Sequence, residues 1–188
     1  MRSALLLALA FTLACGGNDS EEVVATTGTG GEDTRPASFD WGKPMGDDLR
    51  VGGQPSEADL EAAAAAGVRT VISLRPEGEA GSEGERETVD RLGMTFVSIP
   101  VAGAADLTEA NATALDEALQ SSGSTILHCG SGNRAGSLLG LRAYVTGGAT
   151  GDEAMSLATD AGMTHLSDAL RAKLTELCQS APDRCPSE

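Results

Sequence analysis

The chain predicts an α/β sandwich with a largely parallel sheet, and three observations carry that prediction. Short apolar runs rich in β-branched residues, "VRTVISL", "MTFVSIPV" and "STILHC", recur along the chain. Each is bounded by turn residues, as buried strands are. Between them lie stretches with helix-start and helix-stop signals rather than the tight turns of hairpins. No internal repeat is present. The 188 residues suffice for one domain with a proper core, and with only 3% aromatics that core must be built on Leu, Val, Ile and Ala. The formal net charge of −15 argues against nucleic acid or an anionic membrane surface as partner. An anion site here would be a local positive field in a negative envelope.

In chain order, "MRSALLLALAFTLAC" opens with Arg2 as a short positive segment, followed by an apolar run too short to span a bilayer. Small Ala14 precedes Cys15, so residues 1–14 resemble a bacterial lipoprotein signal and Cys15 is the lipidation site. The plainer alternative is an ordinary secretory signal with an incidental cysteine. Either way the mature protein is exported. Residues 15–37 are rich in Gly, Thr and acids, with almost no apolar periodicity, and read as a flexible tether. The folded domain is expected over 38–180, with a tail at 181–188.

Within the domain, "LRVGGQ" reads as a short strand. "PSEADLEAAAAAG" is a helix with Ser56 as N-cap, Asp59 three residues on and Gly67 as stop. "VRTVISL" is a strand, and a loop and helix from about Gly84 to Gly93 follow it. "MTFVSIPV" is the next strand. "DLTEANATALDEALQ" is a helix in which Asp106 and Glu109 form the start signal. "STILHC" is a core strand, and "RAGSLLGLRAYVTGG" continues as a helix. Two more helices run from Gly151 to Ala161 and from about Leu166 to Cys178. Cys178 and Cys185 lie close together and, in an oxidising compartment, are expected to pair as a disulfide; the bland alternative, two free surface thiols, is disfavoured by export. Loop-closure arithmetic gives such a small ring roughly 2.5 kcal/mol. Cys129 is left as the odd thiol.

Cys129 ends a buried strand where a helix begins, so it sits beside backbone N–H groups that lack partners. Gly130 and Gly132 let those groups converge, and the helix dipole adds positive potential. Arg134 contributes a planar fork of donors suited to an oxyanion. All three effects favour thiolate over thiol. Gly130, Ser131, Gly132, Asn133 and Arg134 are therefore the expected oxyanion-binding residues, with Cys129 as nucleophile. The bland alternative is a small buried cysteine followed by a surface arginine.

At these residues a family resemblance becomes specific. His128, Cys129 and Gly132 resemble the active-site loop of cysteine-dependent protein tyrosine and dual-specificity phosphatases. Those enzymes place five residues between Cys and Arg; here there are four, and Ala135 stands where their Arg would be. The four-residue spacing resembles rhodanese-type sulfurtransferases. "GGQPSEADLEAAAAAGVRTVISLRPEGE", "VSIPV" and "HCGSGNR", in that order, resemble the phosphatase-like domain of beta-lactamase-hydrolase-like proteins over about Leu49 to Gly162. That family has Ser after the Arg, where this chain has Ala135, so Ser131 or Ser137 would have to supply the missing hydroxyl.

The resemblance implies a phosphatase-like three-layer sandwich whose central sheet has four to five strands. It implies hydrolysis of phosphate monoesters through a phosphocysteine, with no cofactor and no metal. In that chemistry Asp106, upstream of the cysteine, is the candidate general acid, with Glu109 a second choice. The alternative is that Asp106 only caps the helix after it. His128, on a strand beside Cys129, faces the other way and would orient the loop from behind. Arg75 either supports the site or pairs with Glu77 or Glu79, and Gln54 enters through the family pattern. His165 is remote in sequence, which argues against a metal site at His128. The substrate would be a small phosphorylated molecule or a phosphoprotein. The only membrane contact would be the lipid anchor, facing the periplasm or the cell surface. Two further readings stay open: sulfur transfer through a persulfide on Cys129, and a non-catalytic oxyanion-binding lipoprotein.

Overall fold

The computed structural model describes residues 39–187. The expected signal, Cys15 and the tether lie outside these residues. Five strands form one sheet in the order β1-β2-β5-β3-β4. β2 (Leu49–Gly52), β5 (Thr125–His128), β3 (Thr70–Ser73) and β4 (Thr95–Ser98) run parallel, and β1 (Lys43–Pro44) adds an antiparallel edge. The sequence reading missed β1, whose two residues are too few to show periodicity.

Register places Val71 beside Ile126 on one face, and Val51, Leu127 and Ile72 in a row on the other. The first face packs on α1 (Glu57–Ala65) and α2 (Glu85–Arg91) through Leu60, Ala63 and Val89. The second packs on α3 (Glu109–Ser121), α4 (Asn133–Val145), α5 (Gly151–Asp160) and α6 (Ser167–Leu177), with Leu115, Leu138, Leu141, Leu170 and Leu174 buried there. The fold is thus the expected three-layer sandwich. No helix among the described residues is long and apolar enough to cross a membrane.

Local chemistry sets the helix starts. Ser56 and Asp59 form a reciprocal capping box on α1, and Thr150 and Glu153 form another on α5. α3 begins two residues later than the Asp106 signal implies, because Thr108 is its N-cap and accepts from the Asn111 N–H. Asp106 instead ends a short 3-10 helix, Ala104–Asp106. The chain end is not a loose tail. Pro182–Arg184 forms a 3-10 helix, and Arg184 lies 4.2 Å from the Tyr144 ring centroid and donates to the Ala149 carbonyl. Cys178 and Cys185 are bonded, with Cα atoms 5.1 Å apart.

Topology decides where a site can form. β5 is central, and its chain crosses to the α4 face, whereas β2 and β3 beside it feed α1 and α2 on the opposite face. Adjacent strands whose connections part in this way open a crevice at their carboxyl ends. The segments "GGQPS", "LRPEGE" and "CGSGNR" all leave their strands at that crevice.

Candidate active site

The cysteine loop is stitched to the segment after β2. The Cys129 N–H donates to the Gly52 carbonyl at 3.3 Å, and the Gln54 N–H donates to the Gly130 carbonyl at 3.2 Å. Gly53 pairs with Ser131 in an isolated antiparallel bridge. A Cβ on Gly53 would stand 3.1 Å from the Gly130 oxygen, tighter than most such contacts, so glycine suits this close approach of the two segments. Gly132 is the N-cap of α4 at φ +89, a backbone conformation glycine adopts freely. That turn aims its N–H at the Cys129 sulfur, 3.1 Å away. The first-turn amides of α4 add donors without intrahelical acceptors. Cys129 itself is wholly buried.

Arg134 lies over this loop, held from three sides. Its Nη1 and Nη2 donate to the two oxygens of Glu79, each at 2.7 Å, and Nη1 also donates to the Val101 carbonyl at 2.9 Å. Of the five guanidinium N–H groups, these contacts use three. The Nε–H and one Nη2–H, side by side on one edge of the plane, have no oxygen acceptor among the described residues; the Cys129 sulfur is the acceptor nearby. A Cβ on Gly130 would lie 3.3 Å from Nη2, so the fork passes directly above the loop. Donating to the Glu79 carboxylate raises the Arg134 pKa, with lesser contributions from the Cys129 sulfur, against the opposing effect of burial. Reciprocally, Arg134 and then Arg75 hold the Glu79 carboxyl at about 2, against its partial burial.

Arg75 is buried at the end of β3. Its Nε donates to Glu79 at 2.9 Å, and its Nη1 to Gln54 Oε1 at 2.5 Å and to the Gly81 carbonyl at 2.8 Å; Nη2 donates to the Ala80 carbonyl. Of the two partners that sequence allows Arg75, the structure selects Glu79. Arg75 thus uses four of its five N–H groups within the protein. It clamps the 76–84 loop and presents Glu79 to Arg134, which explains why "GQPS" and "LRPEGE" accompany the cysteine loop.

Other expected residues take definite places. The Asp106 carboxylate accepts from the Ala102 N–H at 2.7 Å, and its carbonyl from Asn111 Nδ2 at 2.8 Å. It therefore braces the loop whose Val101 carbonyl anchors Arg134, and it does not cap α3. Glu109 is exposed on the first turn of α3. Asn133 turns its side chain from the loop: Oδ1 accepts from the Thr164 and His165 N–H groups at 2.8 and 2.9 Å. Its backbone N–H, in the first turn of α4, remains a donor at the loop. These bonds also bring His165, remote in sequence, to the edge of the loop. Ser137 is buried and donates to the Asn133 carbonyl at 2.8 Å, so its proton is unavailable to the cysteine sulfur. Ser131 remains exposed on the loop. His128 is buried behind the loop, with Nδ1 3.4 Å from the Cys129 carbonyl oxygen and Nε2 2.8 Å from Glu85.

Sequence reasoning left Glu79 as one of two partners for Arg75 and missed Glu85 entirely. The repeated acids of "RPEGE" are the signal that bears on Glu79. Glu85 had none, since an acid opening a helix is the ordinary surface placement.

A cysteine closing the central parallel strand, a glycine-capped helix start and an arginine fork above them define the cysteine-loop phosphatase-like class of α/β proteins. Residues 43–145 match the family model described as beta-lactamase hydrolase-like protein, phosphatase-like domain, and the chain belongs to that family. A beta-lactamase hydrolase-like protein of Xylella fastidiosa is 34% identical over 114 residues, which cover 58% of this chain and 26% of that protein. A DUF442 protein of Shewanella putrefaciens shares the fold with a TM-score of 0.57 and 24% identity, over 73% of this chain and 88% of its own. A Neisseria meningitidis structure does so with a TM-score of 0.56 and 24% identity, over 66% and 92%.

Proposed function

We propose that the protein is an exported, lipid-anchored phosphatase that hydrolyses phosphate monoesters through a phosphocysteine on Cys129. The observation that carries this reading is the Gly132 N–H directed at the Cys129 sulfur at 3.1 Å, with the Arg134 guanidinium beside it. Family membership supports it. The Cys129 thiolate attacks phosphorus as the P–O bond to the leaving group breaks. Loop amides and the Nε/Nη2 edge of Arg134 hold the equatorial oxygens, which gather charge as that happens. Asp106 gives its proton to the leaving oxygen. Water then attacks phosphorus and passes a proton to Asp106, the P–S bond breaks, and thiolate and phosphate result. In support of that role, Asp106 belongs to the loop that Arg134 ties down through Val101. Export and anchoring at Cys15 rest on the N-terminal sequence.

The test is hydrolysis of an aryl phosphate, with trapping of phosphate on Cys129 by rapid acid quench and peptide mass spectrometry. Turnover that Cys129→Ser abolishes supports the reading; wild-type inactivity on a panel of phosphoesters overturns it. The four-residue spacing between Cys129 and Arg134 favours one second reading, sulfur transfer, because a shorter ring suits a single sulfur. Thiosulfate-to-cyanide transfer with a persulfide on Cys129 would establish that instead.

A further inference from the structure

Glu85 opens α2 on the face of the sheet opposite α4, yet it meets the residue before the cysteine. It is 6% exposed, and His128 is fully buried. His128 Nε2 and Glu85 Oε1 are 2.8 Å apart, too close for two lone pairs to face each other, so a proton lies between them. The approach is off the axis of a well-formed hydrogen bond, and neither carboxylate oxygen nor Nε2 has any other partner among the described residues. On the other side of the ring, Nδ1 faces the Cys129 carbonyl oxygen at 3.4 Å, and a carbonyl only accepts.

Both ring nitrogens therefore look at acceptors, while a neutral imidazole carries one N–H. Two arrangements satisfy both ends. In one, an imidazolium faces the Glu85 carboxylate. In the other, a protonated Glu85 donates to Nε2 of a neutral ring. The pair is neutral overall in each, and Nδ1 carries a proton in each. The remaining arrangement, with a bare Nδ1 and an ionised Glu85, buries net negative charge behind a thiolate and opposes two lone pairs. Burial disfavours it strongly.

We propose that Glu85 is a positioning residue for the cysteine loop. By facing Nε2 it fixes the ring so that Nδ1 is directed at the Cys129 carbonyl, and the ring in turn holds the turn that presents the sulfur. The proposal rests on Cys129 being the reactive group of the proposed function, but its test follows the thiol and the ring rather than turnover.

In 15N-labelled full-length protein, the two-bond ring spectrum of His128 should show a protonated Nδ1. Glu85→Leu leaves Nε2 without a polar partner, so the ring should lose its fixed orientation and its nitrogen signals should shift and broaden. Iodoacetamide labelling of the Cys129 peptide in that variant, read by mass spectrometry at one pH, should slow about tenfold, in the range seen for outer-shell partners of reactive groups. In a His128→Asn background no ring remains to be oriented, so the added Glu85→Leu change should alter labelling less than about twofold, as coupling through one residue requires. A bare Nδ1 in the wild type, labelling unchanged in Glu85→Leu, or an equal effect in both backgrounds would overturn the proposal. If Glu85→Leu does not fold, the wild-type spectrum decides alone. Absence of phosphoester turnover would remove the proposed function and leave these outcomes readable.

Discussion

α4 is fixed in two different ways along its length. At its first turn, Arg134 is aimed by directional bonds to Glu79 and Val101, and the helix begins on a polar loop. One turn on, its flank against α5 has no such bonds and depends on shape. A Cβ on Gly136 would fall 2.6 Å from the Ala158 carbonyl, and one on Gly140 2.5 Å from the Ala154 carbonyl. Facing them are the small buried residues Ala154, Ala158 and Ala161. Close backbone contact cannot yield as a flexible side chain would, so this seam sets the helix axis. The charged end then aims one side chain from an axis already placed. Packing is the scaffold and electrostatics the pointing device, and mutations in the two regions should fail differently.

The largest effect is expected at the polar end. Cys129→Ser should lower aryl phosphate hydrolysis by at least about a thousandfold, since a serine hydroxyl is a far weaker nucleophile than a thiolate at neutral pH, with the thermal midpoint near wild type. The seam comes next. Gly140→Val should cost about 3 kcal/mol in urea denaturation, the upper end of overpacking, because it meets backbone. A wild-type midpoint would show that the seam can open, and the division of labour would fall. Arg134→Lys keeps the charge but loses the two-edged fork, so activity should drop by about a hundredfold with little change in stability. A stability loss as large as that of Gly140→Val would mean that the charged end also holds the helix.

Away from both regions, Cys178→Ser removes the link that holds the chain end against α4 and should cost about 2.5 kcal/mol while leaving turnover per folded molecule unchanged. The smallest change is a pH effect. The Arg134 hydrogen bonds lower the Glu79 carboxyl from the ordinary 4.5 to about 2. A carboxyl lowered on folding stabilises fully above its unfolded value, and that contribution is lost as pH falls towards the folded one. The wild type should therefore lose thermal midpoint relative to Glu79→Gln between pH 4.5 and about 2. Parallel curves for the two proteins would show that the pair aims Arg134 without stabilising the fold.

Much of this was legible in the chain, unevenly. The four parallel strands, the Ser56 capping box on α1 and the strand-cysteine-helix corner were visible because each is local, set by residues within a turn or two of each other. Asp106 misled as a cap because Thr108 competes for the same helix start with better-placed geometry. Asn133 looked like part of the anion loop, but its side chain has partners 31 and 32 residues away.

By itself the sequence determined the α/β class and the cysteine corner, with a glycine turn that brings N–H groups to a sulfur. Those follow from periodicity, chirality and capping, which act over short stretches of chain. Tertiary structure alone decided what surrounds that corner. The sheet order puts β3 beside β5, and only then does Glu79 reach Arg134 across 55 residues and Glu85 reach His128. Such pairs depend on which strand ends become neighbours, and hydrophobic burial across the whole domain settles that, not any signal in the residues that finally meet.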